Sequence, residues 1–220
     1  MLRAPVHVNK QSNLVLISNL IEETFGIQKP RSTSKWIGTC LVAQVAFTIS
    51  AITGMKPMVI SKHILREFGS EGDKFGFTIE EILRTFDAPV LTRKGPVWIN
   101  LGLSAYDSVQ TMLNAIICGH PTLLIMGREV CDALETEAMA YKDGCSYATV
   151  IRPAAEGSYH SFLAIGYEMK TDPYPNDFLI VRDSRHVYSY KGYLKIGINT
   201  LDQGWDFIRA LSVNVLSVEH

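Results

Sequence analysis

The longest apolar stretch of the chain runs over 40–53, CLVAQVAFTISAIT. Val42, Val45, Ile49 and Ile52 recur at helical spacing, which predicts a helix. Leu41, Ala46 and Phe47 make its other faces apolar too, so the helix is expected to be buried nearly all round. Gly54 ends it and Pro57 follows. Ahead of it, 28–39 (QKPRSTSKWIGT) reads as loop, with a proline, a glycine and several hydroxyls. Ser61 is expected to cap a short helix to Phe68. Thr78 and Glu81 form a capping box for a helix to about Phe86. Asp107 or Ser108 opens a further helix closed by Gly119. Beyond Pro121 the pattern changes to short runs of Val, Ile, Tyr and Phe, over 121–126, 147–151, 161–167, 178–182, 193–196 and 211–216, with turns such as Asp172-Pro173 between them. Residues 1–12 are polar and read as loose. Residues 128–143, with Glu129, Asp132, Glu135, Glu137 and Asp143, read as an acidic helix or an ordered insertion.

Helices gathered in front of strands predict an α+β fold. The 220 residues fit a single domain, 1–119 mainly a helical lobe and 120–220 mainly an antiparallel β lobe.

Charge and composition remove several function classes. The formal net charge is -1, and no run of Lys and Arg exceeds two residues, so the basic stripe of a nucleic-acid binder is missing. No run approaches the ~18 apolar residues of a membrane span. The apolar run 14–21 is interrupted by Ser18 and Asn19 and followed by Glu22-Glu23 without a cleavage site. It reads as a helix or strand docked on the domain, not as a signal peptide, which makes this a cytosolic-type protein. The four cysteines, Cys40, Cys118, Cys131 and Cys145, form no C-x-x-C pair and no zinc pattern. Free thiols are expected, with no metal and no cofactor.

Cys40 stands where a glycine-containing loop meets the buried helix. Unpaired N–H groups and the helix dipole favour a thiolate there, and a thiolate is the nucleophilic form of cysteine. The Cys40 N–H can also face a developing oxyanion. His160, at the mouth of a strand after Glu156-Gly157-Ser158-Tyr159, can face a cleft and serve as base. Asp183 ends the apolar run FLIVRD one strand later and can orient an imidazole, provided the two strands are antiparallel neighbours in a suitable register. Each residue alone has an ordinary structural explanation: a core cysteine, a surface histidine, a turn aspartate.

Taken in order, these segments resemble the papain-like cysteine peptidase superfamily. Gly38-Thr39-Cys40 opening an apolar helix is similar to its nucleophile segment. His160-Ser-Phe-Leu-Ala-Ile-Gly-Tyr167 resembles its H-A-x-x-x-x-G-Y strand. Val181-Arg-Asp-Ser184 and Lys191-Gly-Tyr-Leu-Lys-Ile196 resemble its V-x-N-S-W-G and G-Y-x-x-I segments. The resemblance implies a helical lobe and a β lobe with the active site in the groove between them. It also implies a cysteine protease cleaving a peptide or isopeptide bond of a protein through Cys40, His160 and Asp183.

The departures are specific. Ser34 stands where the peptidases place the glutamine that donates to the oxyanion, so Ser34 or the indole of Trp36 is the expected donor. Aspartate replaces asparagine at 183, and Arg185 replaces the usual tryptophan. These features resemble bacterial or viral members, including effector proteases that a dedicated secretion system delivers to act on host proteins. The same residues also suit a deamidase or transglutaminase acting on a protein glutamine, and the departures suit a degenerate module that only binds.

Overall fold

The computed structural model describes residues 1–10, 14–17, 40–68, 77–127, 130, 133–134, 159–169, 177–183 and 193–220. The apolar stretch forms α1 (Cys40–Thr53), with every residue from Cys40 to Ile49 buried. Gly54, at a φ of 71°, ends it in a conformation a side chain would disfavour. The next helix, α2 (Pro57–Glu67), starts four residues before the Ser61 expected from the sequence. Proline fixes φ at a helical value and lacks an N–H that the first turn would leave unbonded, so Pro57 opens this helix. Thr78 caps α3 (Ile79–Arg84) by the expected reciprocal box: Glu81 N donates to Thr78 Oγ1 at 3.2 Å and Thr78 N to Glu81 Oε2 at 2.9 Å. The chain then tightens into a 3-10 turn over Thr85–Asp87. Ser108 is the cap of α4 (Val109–Ile117), paired with Thr111.

Among the described residues nine strands form one sheet in which every pairing is antiparallel. They are β1 (Val6–Asn9), β2 (Leu14–Ile17), β3 (Val90–Thr92), β4 (Gly95–Tyr106), β5 (Thr122–Gly127), β6 (Tyr159–Glu168), β7 (Phe178–Asp183), β8 (Tyr193–Gly197) and β9 (Ile208–Glu219). A short helix, α5 (Ile198–Gln203), leads from β8 towards β9. β6 is the branch point. β5 pairs with its first half and β2 with its second, while β7 and then β8 follow through its 162–168 pairing. β9 lies between β5 and β4. α1 packs across β6 and β9 and against α2.

Two segments depart from the sequence expectation. Residues 1–12, read as loose, contribute β1, and the start of the chain is tied down: Leu2 N donates to Val215 O at 2.8 Å and Ala4 N to Gly119 O at 3.0 Å. The 12-residue β4 was not anticipated, because Gly95, Pro96, Gly102 and Ser104 dilute its alternation. It joins the sheet formed by the later strands. Gly166 shows why β2 can join too: a Cβ there would sit 2.3 Å from Val15 O and 2.9 Å from Leu16 Cδ1.

His63 fastens α2 to the 3-10 turn. Its Nε2 donates to Thr85 O at 2.8 Å and its Nδ1 accepts from Arg66 Nη2 at 3.1 Å, which fixes a neutral ring. Burial lowers its proton affinity, with Arg66 adding to the effect and Thr85 O and Glu67 opposing it. The native ring therefore binds a proton less readily than the unfolded one. Its contribution to stability is full above about pH 6.5 and is lost as the pH falls through the native pKa. The midpoint of thermal unfolding should drop as the pH falls below about 6.5, and His63→Gln should flatten that slope. An unchanged slope in the variant would show that His63 is not a source of it.

Candidate active site

Cys40 is the first residue of α1 and His160 the second of β6. Both are buried, at 7% and 4% exposure, and the fold brings them together. Burial by itself pushes the Cys40 thiol up. The hydrogen bond and charge of His160, with smaller help from the hydroxyl and backbone of Ser161, outweigh burial and leave the thiol lowered. The helix N-terminus acts in the same direction. On the strand side the imidazole is held by the edge of Phe162, whose ring centre lies 5.3 Å away in a T-shaped contact.

Ser161 and Gln44 were not singled out by the sequence, and both belong to this site. Ser161 is 1% exposed, and its Oγ makes no hydrogen bond of ordinary geometry, yet it lies near enough to favour the thiolate. Gln44, one helical turn after Cys40, donates from Nε2 to Ser161 O at 3.2 Å and to Arg182 O at 3.1 Å. Its signal in the sequence was a lone amide inside an apolar helix: such a group, if buried, needs partners. Arg182 is 2% exposed, and its guanidinium lies over the Phe47 ring, 4.0 Å from the centroid.

Asp183 ends β7, and its backbone partner in the sheet is Phe162, two residues past His160. The strands of His160 and Asp183 are thus antiparallel neighbours, with a two-residue offset that the sequence left open. The Asp183 side chain lies outside the described residues, as do Ser34, Trp36, Cys131, Cys145 and His186. Cys118 is an exposed free thiol following α4. His120 is buried, and its proton affinity is lowered by burial and by Arg3 and the N-terminal amine. Among the described residues no three His, Cys, Asp or Glu converge as a metal set, and no helix is long and apolar enough to cross a membrane.

The arrangement suits nucleophilic chemistry: a thiol whose ionisation is favoured by the ring beside it, a ring that can take and return a proton. No protein family model and no curated protein matches the chain. Solved structures do. Procathepsin B S9 from Trypanosoma congolense matches with a TM-score of 0.54 at 11% identity, over 92% of this chain and 74% of that one. The digestive procathepsin L 3 of Tenebrio molitor larval midgut matches with a TM-score of 0.48 at 12% identity, over 89% and 74%.

Proposed function

Starting from the papain-like fold of this chain, we propose that it is a cysteine protease acting on a protein substrate, with Cys40 as nucleophile, His160 as base and Asp183 as the orienting group. One observation carries the reading: Cys40, the first residue of the buried helix, and His160, at the start of β6, are both buried and meet, and against the effect of burial the imidazole holds the thiol down. The Cys40 thiolate attacks the substrate carbonyl and forms a thioester as the amine leaves. His160 delivers its proton to that amine, then takes one from the water that hydrolyses the thioester. Asp183 accepts from the imidazole and holds its orientation, a role that its register two residues beyond His160 favours. The oxyanion receives the Cys40 N–H and one side-chain donor, Ser34 or Trp36. The finer expectation, a host protein reached through a secretion system, rests on the sequence departures.

Cys118 provides an internal reference. At pH 6, iodoacetamide should label buried Cys40 faster than exposed Cys118, because only a thiolate is alkylated quickly. Mass spectrometry of candidate protein substrates treated with the labelled and unlabelled chain should then show new termini with the unlabelled chain alone. Cys40 staying inert until denaturation would defeat the proposal. The mass shift of a deamidated glutamine, without cleavage, would redirect it to the deamidase reading.

A further inference from the structure

Gln44 is the only amide in α1, and it is fully buried. Both of its donated hydrogen bonds end on strand carbonyls, Ser161 O at 3.2 Å and Arg182 O at 3.1 Å. Ser161 follows His160, and Arg182 precedes Asp183. Among the described residues the β6–β7 ladder reaches the Phe162–Asp183 pair, and Ser161 and Arg182 each stand one residue from that pair. Two carbonyls, one from each strand, thus converge on one amide nitrogen from the helix. The same helix carries Cys40 a single turn earlier, about 5.4 Å along its axis.

We propose that Gln44 is a positioning residue of this site: its amide locks the helix that carries the thiol to the two strands that carry His160 and Asp183, and so sets the imidazole against the sulfur. The proposal rests on the reading of Cys40 and His160 given above. A proton shared between two side chains on different elements needs those elements held to about half an ångström, and a hydrogen-bonded brace one helical turn from Cys40 and one residue from His160 provides that. Among the described residues, titratable and charged groups face this arrangement from both strands. His160 faces the thiol from β6, and Arg182 on β7 directs its guanidinium to Phe47 on α1. Gln44 adds no charge, so its effect on the thiol passes through geometry alone.

The test is the pH profile of Cys40 alkylation by iodoacetamide, followed by mass spectrometry of the full chain, with folding checked by circular dichroism and thermal melting. Gln44→Met keeps the side-chain length without the donors. Gln44→Asn keeps the amide one methylene short, and it decides the matter if the methionine variant does not fold. Thr48→Val is the control: it removes a buried hydrogen bond of the same helix, Thr48 Oγ1 to Gln44 O at 3.0 Å, whose two partners both lie on α1. In folded Gln44 variants the profile should move to higher pH, so that labelling at pH 6 slows by about tenfold for each unit of rise in the thiol pKa, and by at least that factor in Gln44→Met. Thr48→Val should keep the wild-type profile. A folded Gln44 variant with the wild-type profile overturns the proposal and leaves the Cys40–His160 reading standing. An equal shift in Thr48→Val also overturns it, because any loosening of α1 would then suffice. An ordinary thiol profile in the wild-type chain removes both the reading and the brace.

Discussion

Replacing His160 with alanine should slow alkylation of Cys40 at pH 6.5 by about 100-fold or more, while the chain stays folded. An ordinary cysteine titrates near pH 8.5, about two units above that pH, and burial pushes the thiol higher still. The groups holding Cys40 down are His160 first, by hydrogen bond and by charge, and Ser161 after it. Without the imidazole, burial acts against Ser161 and the helix N-terminus alone. Under the proposed mechanism hydrolysis should fall further than labelling, because His160 would there protonate the leaving amine, a role worth typically ~10²–10⁴. His160→Gln, which fills the space and cannot act as a base, should behave like the alanine variant. Labelling within threefold of wild type in both would mean that the thiol is not activated by this histidine.

Phe47→Ala should lower stability by about 3–5 kcal/mol. In a chain of this size each kcal/mol moves the unfolding midpoint by about 2–4 °C, so a fall of roughly 6–20 °C is expected. Phe47 is 1% exposed and lies on α1 under the Arg182 guanidinium, which is itself 2% exposed. The alanine variant opens a cavity and also removes the ring face from a desolvated cation, an interaction worth about 2 kcal/mol in such a setting. Phe47→Leu separates the two contributions: it restores much of the volume without the ring face. A denaturant titration with alanine costing under about 1 kcal/mol would show that the core closes over the gap. Because the Arg182 carbonyl is one of the two acceptors of Gln44, the alanine variant should also weaken Cys40 labelling, linking core packing to the reactive thiol.

What could be read from the sequence follows how local each signal is. α1 was legible because ten of its fourteen residues are apolar and spread over every face, and its first residue, Cys40, was the expected nucleophile position. The Thr78–Glu81 and Ser108 caps were legible because capping chemistry spans only three or four residues. β6 and β7 announced themselves as Val/Ile/Phe runs, but their relative register did not. The offset that puts Asp183 opposite Phe162 depends on contacts between strands, which no local pattern encodes. β1 and β4 were missed for the same reason: their composition is weak, and their strand conformation comes from the partners that tertiary structure supplies, β2 for one and β9 for the other. The start of α2 was misplaced because Pro57 was taken as following a helix end when it opens a new helix.

The position of β9 sets the timetable on which this sheet can form. Residues 208–219 insert between β5 and β4, pairing Leu211 with both Leu123 and Ala105. These partners are separated by roughly a hundred residues of chain, and the β2–β6 pairing, Val15 with Tyr167, spans still more. Contacts of such long range must be reached by closing large loops, which makes folding slow compared with that of a helical bundle of the same length. During synthesis β4 and β5 leave the ribosome well before the strand that joins them, and each presents an unpaired edge until it arrives. The helices of the first half can form early on local signals, but they must wait for β9 before they have a complete sheet to pack on. This is the interval in which the nascent chain is most open to aggregation and most dependent on chaperones.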